Sequence, residues 1–306
     1  MADENTAPVL KTKALKHIEV RGSRVRLRDY STDWTIHPDL KDKEDEDTKK
    51  YAKEILDKNL EELATAEGLL YASGKNALLI VLQGMDTSGK DGTIKHVMSG
   101  LNPQSCRVTS FKQPSREELA RDFLWRYSKA LPERGEIGIF NRSHYEEVLV
   151  TRVHPEWIEK QGIPKDEIDK KLWENRYRDI NAWEHHLSRS GTVILKFFLH
   201  ISKAEQKRRL LARLDDPKKN WKFSEGDIAE RERWNDYVKA YEDALAATNS
   251  SWAPWHVIPA DHKWSARVLV AQVITNRIRL LKLKYPTINS AKAQELRKAK
   301  AALLKS

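Results

Sequence analysis

The strongest chemical signal in the sequence is a glycine-rich turn that carries one lysine. Gly84, Gly89 and Lys90 stand in the spacing GxxxxGK inside LLIVLQGMDTSGKDGTI, after an apolar stretch and before a helix-forming one. Glycines allow backbone N–H groups to surround phosphate oxygens, a helix N-terminus adds partial positive charge, and the lysine reaches the transferring group. The pattern predicts a phosphate-binding loop, and the alternative is a glycine-rich turn with a surface lysine.

The residue after this lysine differs from the one in ordinary P-loop enzymes. Asp91 stands where those enzymes carry the Ser or Thr that binds Mg²⁺. Carboxylate oxygens suit this hard ion, so we expect Asp86 to help bind it, while Asp91 is equally well explained as a turn residue. Phosphate or nucleotide contacts are expected from the loop as a whole: Gly84, Met85, Thr87, Ser88, Gly89, Asp91, Gly92 and Thr93.

A predicted helix after Ser202 supplies the positive charge that phosphoryl transfer requires. Arg209 and Arg213 are four residues apart and therefore share a helix face, with Arg208 beside them. The leucines of the helix are expected to face the core: Leu210, Leu211 and Leu214.

The loop after this helix, DDPKKNWKFS, is also basic. Its lysines, Lys218, Lys219 and Lys222, could line the path of a long phosphate chain and bind it by charge and counterion release. The alternative is a solvated basic loop, because charge runs usually lie on the surface.

Five short apolar runs are predicted to be buried strands. They cover residues 77–82, 106–111, 136–140, 193–199 and 255–258. Helical patterns lie between them, and two begin with capping-box spacing, Ser115 with Glu118 and Ser202 with Glu205. Alternating helices and apolar strands favour an α/β fold, with a parallel sheet covered by helices on both faces.

No internal repeat or Gly/Ser-rich linker divides the chain, so we predict one phosphotransferase domain over residues 73–285, in which residues 202–235 resemble the lid of small P-loop kinases. Residues 1–72 are an N-terminal basic arm and helical extension, in which a basic stretch (11–28) precedes an amphipathic helix near 47–70. Contact with a polyanion and contact with another subunit both remain open for the arm. The basic tail, 286–306, is expected to be solvated.

The composition limits the class of protein. With 40% hydrophobic and 33% charged residues, the chain is globular rather than disordered. It shows no membrane-spanning run and no secretory signal, and its single cysteine, Cys106, agrees with a reducing compartment; we therefore expect a cytoplasmic location and no membrane partner. The 55 Lys and Arg against 45 Asp and Glu attract polyanions, without choosing between nucleic acid, nucleotides and phosphate polymers.

Three separated motifs together resemble the polyphosphate kinase 2 family. The loop GMDTSGKDG is followed by GEIGIFNRSHYEEVLVTRVHP, then by the lid region ISKAEQKRRLLARLDDPKKNWKFSEGDIAERERWNDYVKAYEDAL and by WAPWHVIPADHKWSARV. The resemblance covers residues 29–285. It implies a P-loop kinase-like three-layer α/β/α fold, with a central five-stranded parallel sheet and a helical lid.

The resemblance also implies an activity and its partners. Enzymes of this family move the terminal phosphoryl group of inorganic polyphosphate to AMP, ADP or other nucleoside mono- and diphosphates, reversibly and with Mg²⁺, for which Mn²⁺ is an alternative. Adenine or guanine nucleotides are the expected second substrate, and a homo-oligomer, a dimer or a tetramer, is the expected assembly.

The segment FNRSHYEE looks closest to the single-domain class III branch, which acts on nucleoside monophosphates and also on diphosphates. Members that act mainly on diphosphates usually carry Asp where this chain has Asn141, and Asn where it has Glu146. The monophosphate-only class II branch is similar too.

Roles for single residues follow from the same resemblance. Lys90 binds the transferring phosphate, Asp86 helps hold Mg²⁺ and orients the acceptor, and Arg142 clamps phosphate oxygens. Glu146, with Glu147 beside it, sets the acceptor length. Asn141 replaces a carboxylate, so we expect it to reach the metal through water. The expected phosphate- or nucleotide-binding set also includes Arg152, Arg208, Arg209, Arg213 and Lys222.

Two other functions compete with this interpretation. An ordinary ATP-dependent nucleoside or nucleotide kinase of the P-loop class would use ATP and ignore polyphosphate. A non-catalytic nucleic-acid-binding protein would bind RNA or DNA even after Lys90→Ala. The nucleic-acid-binding alternative is the weakest, because no nucleic-acid-reading motif accompanies the charge, and we expect no nucleic-acid partner.

Overall fold

A computed structural model describes residues 15–33, 45–224 and 226–306, with the side chains of Asp45 and Lys222 outside the description. Five strands form one sheet in which every pair of neighbours is parallel, in the order β2-β3-β1-β4-β5. Each strand begins and ends within two residues of its prediction, which confirms the strands and the α/β fold. The strands are β1 (Ala77–Gly84), β2 (Cys106–Ser110), β3 (Ile137–Asn141), β4 (Thr192–His200) and β5 (Trp255–Pro259).

Burial explains why the strands could be recognised as apolar runs. β1 and β5 are buried along their whole length, and β4 is buried after its first residue, because both faces of the sheet are covered. β2 lies at one edge of the sheet and Val108 is 46% exposed, whereas residues 19 and 20 pair with β5 at the other edge.

The helices form two groups, which lie on the two faces of the sheet. α1, α2 and α11 pack together, and α5, α7 and α10 form the other group, which gives the three layers that were expected. The helices are α1 (Asp45–Ser73), α2 (Lys90–Val97), α3 (Arg116–Leu119), α4 (Trp125–Ser128), α5 (Glu146–Val153), α6 (Glu156–Glu159), α7 (Leu172–Arg189), α8 (Lys203–Leu214), α9 (Gly226–Glu232), α10 (Trp234–Thr248), α11 (Lys263–Leu280) and α12 (Ser290–Leu303).

Residues 15–33 belong to the same core as the sheet. Glu19 pairs with His256 in an antiparallel bridge next to β5, and the backbone N–H of Val20 donates to the carbonyl of Trp255 at 3.0 Å. In contrast, α12 buries none of its side chains. Of the helices in the described ranges, none is both long enough and apolar enough to cross a lipid bilayer.

The strand order indicates where a ligand should bind. After β1 the chain builds β2 and β3 on one side of this central strand, and then β4 and β5 on the other. In open parallel sheets, ligands bind outside the carboxyl ends of the strands at such a switch in direction. The turn after β1, which contains the GxxxxGK pattern, lies at this place.

Candidate active site

The backbone of the turn between β1 and α2 requires glycine at two positions. A Cβ on Gly84 would lie 2.6 Å from Ser88 Oγ and 2.9 Å from the carbonyl oxygen of Leu199. Gly89 has a φ of 101° in the left-handed region and is the N-cap of α2. The spacing of the pattern thus brings a tight turn to a helix N-terminus, whose first N–H groups have no partner inside the helix.

The ammonium of Lys90 lies at the base of this turn. Lys90 Nζ donates to the carbonyl oxygen of Gly84 at 2.7 Å. Burial, helped by the positive charge of Arg142, lowers the pKa of Lys90 to about 8, while Glu146 and two loop aspartates act in the opposite direction. A phosphate placed beside Lys90 would add negative charge and favour the protonated form.

Asp86 carries a carboxylate oxygen that lacks a hydrogen bond. Its Oδ2 is buried and accepts no hydrogen bond from the described residues, although Arg213 Nη1 lies 3.8 Å away. Arg213 Nη1 also donates to Asp227 Oδ2 of α9 at 3.0 Å. Burial and the negative charge of Asp86 raise the pKa of Asp227. The lid thus brings a second carboxyl group close to that of Asp86.

Asn141, at the end of β3, holds the other loop aspartate. Asn141 Nδ2 donates to Asp91 Oδ1 at 2.8 Å and to Ser110 Oγ at 3.3 Å. The structure therefore joins Asp91, which replaces the Ser or Thr of ordinary P-loop enzymes, to Asn141, which replaces the carboxylate of the second strand motif. Contact of Asn141 with a metal through water stays a prediction.

The donor set around the loop fits a hard, oxygen-binding ion such as Mg²⁺ or Mn²⁺ rather than a metal that prefers nitrogen or sulfur ligands. Mg²⁺ is usually bound by one or two carboxylates together with substrate phosphates and waters. The described residues contain no group of three His, Cys, Asp or Glu that could enclose an ion. The unpartnered oxygen of Asp86 can supply one carboxylate ligand, and the substrates would supply the others.

A cavity of about 530 Å³ opens on one side of the loop, and we call it the aromatic cavity. Arg142 and Glu146 line it together with Lys90, and the charges of both act on the ammonium of Lys90. Burial raises the pKa of Glu146, against the opposing charges of Arg142 and Lys90. The aromatic lining consists of Phe111, Tyr127, Trp157, Trp234, Tyr237 and Tyr241.

Glu147 also lines the aromatic cavity, but its carboxylate is engaged in the wall. It accepts hydrogen bonds from Tyr127 OH at 3.1 Å and from Gln161 Nε2 at 2.6 Å. Arg176 Nη1 lies 3.7 Å from the same carboxylate. Glu147 therefore fixes the wall, whereas Glu146 is the acidic side chain nearer to Lys90 and Arg142.

A second cavity, of about 750 Å³, lies on the other side of the loop, and we call it the basic groove. It shares Asp86, Lys90, Phe111, Lys112 and Arg142 with the aromatic cavity. The side chain of Arg142 forms no hydrogen bond or ion pair with other described residues. The cations that line only the groove are Arg208, Arg209, Arg213, Lys219, Lys263 and Arg267.

Lys263 and Arg267 were missed from the sequence. They are four residues apart in the first turns of α11, which follows β5. Burial and the positive charges of Arg209 and Arg267 lower the pKa of Lys263, so the like charges lie close together. The run ADHKWSARV, which starts a helix directly after a predicted strand, was the signal that could have revealed them.

Arg209 connects the lid helix α8 to the phosphate loop. It is buried, and its Nη1 donates to the carbonyl oxygens of Thr87 at 2.9 Å and Ser88 at 3.1 Å. Its Nη2 donates to the carbonyl oxygens of Ala260 at 2.6 Å and Asp261 at 3.0 Å, and its Nε donates to Glu205 Oε1 at 2.6 Å. All five donors of the guanidinium are engaged, so Arg209 adds charge but no free donor to the groove.

The orientation of α8 corrects the prediction for its leucines. Leu210 is 6% exposed, but Leu211 and Leu214 are 49% and 43% exposed. The inward face carries Gln206, Arg209 and Leu210 because it packs against the polar carbonyls of the loop, and the other leucines point outward.

The two predicted capping boxes have different outcomes. Ser115 and Glu118 form both hydrogen bonds of the box. Ser202 Oγ accepts from the backbone N–H of Glu205 at 3.0 Å, but the carboxylate of Glu205 binds Arg208 and Arg209 instead of the N-cap. The exposed Arg208 is therefore held in a two-point ion pair at the rim of the groove.

Arg152 lies apart from the other predicted site residues. Its guanidinium donates to Tyr177 OH at 3.0 Å and to Asp243 Oδ2 at 2.5 Å, and it lines neither the aromatic cavity nor the basic groove. In the structure it joins α5 to α7 and α10. The side chain of Lys222 lies outside the described residues.

Comparison with known proteins agrees with this geometry. The family model described as polyphosphate kinase 2 (PPK2) matches residues 44–286. A protein of Rhodopseudomonas palustris named ADP-polyphosphate phosphotransferase is 50% identical over 260 residues, which cover 85% of this chain and 90% of that protein. A protein of Meiothermus ruber named AMP/ADP-polyphosphate phosphotransferase is 46% identical over 237 residues, which cover 78% of this chain and 84% of that protein.

The fold is similar as well. The crystal structure of polyphosphate kinase 2 from Arthrobacter aurescens TC1 superimposes with a TM-score of 0.85 and 39% sequence identity, covering 98% of this chain and 99% of that one. With a family model that spans most of the sequence and relatives of this identity, the chain belongs to the polyphosphate kinase 2 family.

Proposed function

We propose that this protein transfers the terminal phosphoryl group of inorganic polyphosphate to AMP and ADP, and catalyses the reverse reaction. The observation that carries the proposal is the meeting of two cavities of different character at Lys90. The basic groove contains a single aromatic side chain among its cations, whereas the aromatic cavity contains six, so the two cavities suit two different phosphate-bearing substrates.

The basic groove suits a chain of phosphates that carries no base. Its cations are distributed over α8, α11 and the loops between strands, so that positive charge continues away from Lys90. A polymer with regularly spaced negative charges binds such a surface by charge and counterion release, whatever its length beyond the site. A donor that consists of phosphates alone therefore fits this side.

The aromatic cavity suits the nucleotide. Aromatic faces can stack on a nucleobase, and a cavity of about 530 Å³ lies within the usual range for small-molecule sites. Arg142, which lines it near Lys90, can bind the acceptor phosphate. Glu146 places a carboxyl group beside that phosphate and would limit how many acceptor phosphates fit, which is the role that the family resemblance implies.

The reaction needs alignment and positive charge rather than a covalent intermediate. An oxygen of the acceptor phosphate attacks the terminal phosphorus of polyphosphate, and the bond to the bridging oxygen breaks, which leaves a chain one phosphate shorter. Lys90 and Arg142, shared by both cavities, lie where negative charge develops on the moving group. Mg²⁺, or Mn²⁺ as an alternative, would be held by Asp86 together with substrate phosphates and would neutralise part of that charge.

The finer properties of the enzyme are proposals that rest on the family resemblance. We include guanine nucleotides among the acceptors, exclude nucleic acid as a partner, place the protein in the cytoplasm and expect dimers or tetramers. Light scattering coupled to gel filtration measures the oligomeric state, and a monomer at micromolar concentration would contradict the expected dimer or tetramer.

A donor and acceptor assay tests the function directly. Purified protein, polyphosphate, Mg²⁺ and AMP should yield ADP and then ATP, and Lys90→Ala should remain folded while losing this turnover. The absence of any nucleotide product with any divalent metal would refute the proposal. An enzyme that phosphorylates a nucleoside with ATP but ignores polyphosphate would be an ordinary nucleoside kinase instead.

A further inference from the structure

A buried ion pair lies beneath the segment that carries Arg142 and Glu146. Lys196 of β4 and Glu184 of α7 are both 0% exposed, and Lys196 Nζ donates to Glu184 Oε2 at 2.6 Å. Neither lines the aromatic cavity or the basic groove. An apolar pair of similar volume is often at least as stable as a buried ion pair. Stability alone therefore does not explain why charges occupy this position.

Both members of the pair bind residues 142–146, which we call the acceptor segment. Tyr145 OH donates to Glu184 Oε1 at 2.9 Å and accepts from Lys196 Nζ at 2.8 Å. His144 Nε2 lies 3.1 Å from the same Glu184 Oε1. Lys196 Nζ also donates to the carbonyl oxygen of Thr248 at 2.8 Å, so the three donors of the ammonium have fixed partners.

The charge states in this network are consistent with its hydrogen bonds. Burial alone would raise the pKa of Glu184, but the charge of Lys196 and the hydrogen bond from His144 outweigh burial and hold that pKa below its usual value. Burial lowers the pKa of His144, so its imidazole is neutral at pH 7. An ionised Glu184 thus accepts from a neutral histidine and from a tyrosine hydroxyl.

The acceptor segment connects the buried hydrogen-bond network to the aromatic cavity. Arg142 has a left-handed backbone with a φ of 63°, which is unfavourable for a residue other than glycine unless the surroundings maintain it. Ser143, His144 and Tyr145 are all fully buried, and Glu146 begins α5 directly after them. The network therefore determines where the side chains on both ends of the segment enter the cavity.

We propose that Lys196 and Glu184 are positioning residues that set the choice between nucleoside monophosphate and diphosphate acceptors. The proposal rests on the proposed function, because it concerns the nucleotide side of that site. Two acceptors that differ by one phosphate differ in how far the nucleoside lies from the transferring group. A rigid acceptor segment fixes that distance, whereas Arg209 of the basic groove is held by Glu205 and by carbonyls of the phosphate loop.

The test replaces the pair by apolar residues, Lys196→Met with Glu184→Leu, so that no charge is left buried and unpaired. Glu184→Gln is a second variant that keeps the side-chain volume but leaves the Lys196 ammonium without its counter-charge. Val270→Ala, in the buried part of α11, is the control for loss of stability alone. For each protein, kcat and KM are measured for AMP, ADP and polyphosphate, and the binding of AMP and ADP is measured by calorimetry without polyphosphate.

In the double variant we expect the ADP to AMP ratio of kcat/KM to change by about fivefold or more, the size typical of coupled contacts, with the KM for polyphosphate nearly unchanged. Glu184→Gln should move the ratio in the same direction, and Val270→Ala should leave it unchanged. An unchanged ratio in both variants, with lowered stability, would overturn the proposal. If the wild-type protein makes no nucleotide from polyphosphate, the proposed function fails, and the calorimetric ratio of AMP to ADP affinity still decides the positioning role.

Discussion

Lys90 and Gly84 are joined across the phosphate loop by a hydrogen bond of 2.7 Å from the ammonium to the backbone carbonyl. The contact holds the lysine at the point where the aromatic cavity and the basic groove meet. It also keeps the ammonium in a buried place, where burial and Arg142 disfavour its charge. The state of this one proton should therefore control the binding of the phosphate donor.

The first prediction concerns pH. Because the pKa of Lys90 is lowered from 10.5 to about 8, the group is protonated below about pH 8 and loses its charge above it. The kcat/KM for polyphosphate, which reports the free enzyme, should be level below that pH and fall about tenfold per unit above it. A profile that stays level up to about pH 10 would contradict the lowered pKa.

The free energy of unfolding should also depend on the protonation of Lys90, but it should increase with pH where kcat/KM falls. Between the folded pKa of about 8 and the unfolded value of 10.5, the unfolded chain binds a proton that Lys90 has lost in the folded chain. The contribution of Lys90 to stability therefore increases with pH over this window. Chemical denaturation of the wild type and Lys90→Met at several pH values measures the difference, and Lys90→Met should lack this increase.

The second prediction separates two adjacent arginines. Arg209→Met removes five hydrogen bonds, of which two hold α8 to the phosphate loop and two hold it to the segment after β5, and leaves those four backbone carbonyls without their donor. It should cost about 3–5 kcal/mol in the free energy of unfolding, as for a broken buried charge network. Arg208→Met, at an exposed position, should change stability by less than about 0.5 kcal/mol and raise the KM for polyphosphate. Equal effects of the two substitutions on stability would show that Arg209 does not anchor the lid.

The third prediction concerns the cations on α11. Lys263→Gln with Arg267→Gln should raise the KM for long polyphosphate about tenfold and weaken its salt dependence, because two phosphate contacts are lost. The KM for a polyphosphate too short to reach from Lys90 to α11 should increase less. The matched control is Lys298→Gln with Lys300→Gln on the exposed α12, which removes the same charge away from the groove. If the control pair has the same effect, net charge rather than the groove binds the donor.

The fourth prediction concerns acceptor length. Glu146→Gln keeps the side-chain volume and removes negative charge from the aromatic cavity near Lys90, so that a second acceptor phosphate is repelled less. The ADP to AMP ratio of kcat/KM should increase about tenfold, which corresponds to roughly 1.4 kcal/mol. Glu159→Gln, an exposed position outside the cavity, is the control. A ratio that stays the same, or that falls, would exclude Glu146 as the residue that limits acceptor length.

Local patterns were enough to predict the sheet and the loop, because both depend on neighbouring residues. The buried strands are apolar at successive positions, and the turn needs glycine at Gly84 and Gly89 for steric reasons within the loop and its neighbour strand. Local patterns could not show that Arg209 anchors the lid helix whereas Arg208 is exposed at the rim of the basic groove. Arg209 is distinguished by carbonyls 122 and 51 residues away in sequence, at Thr87 and Ala260.

The same limit applies to the residues that were misplaced or missed. Arg152 is a cation within a recognised motif, yet its partner Asp243 lies 91 residues away and holds it outside both cavities. Lys263 and Arg267 lie outside the loop and the lid, and only the strand order brings the start of α11 to the groove. The residue types that phosphate binding requires could be predicted from the sequence. The direction in which each side chain points could not, because it depends on contacts with residues distant in sequence.

The measurement that tests the account most directly is a comparison of two variants with both substrates varied. The groove variant is Lys263→Gln with Arg267→Gln, and the cavity variant is Trp157→Ala, whose side chain lines the aromatic cavity. We predict that the first raises the KM for polyphosphate alone, that the second raises the KM for the nucleotide alone, and that Lys90→Met abolishes turnover. If either cavity's variant raised both KM values equally, the two substrates would not occupy separate cavities that meet at Lys90, and the account would be contradicted.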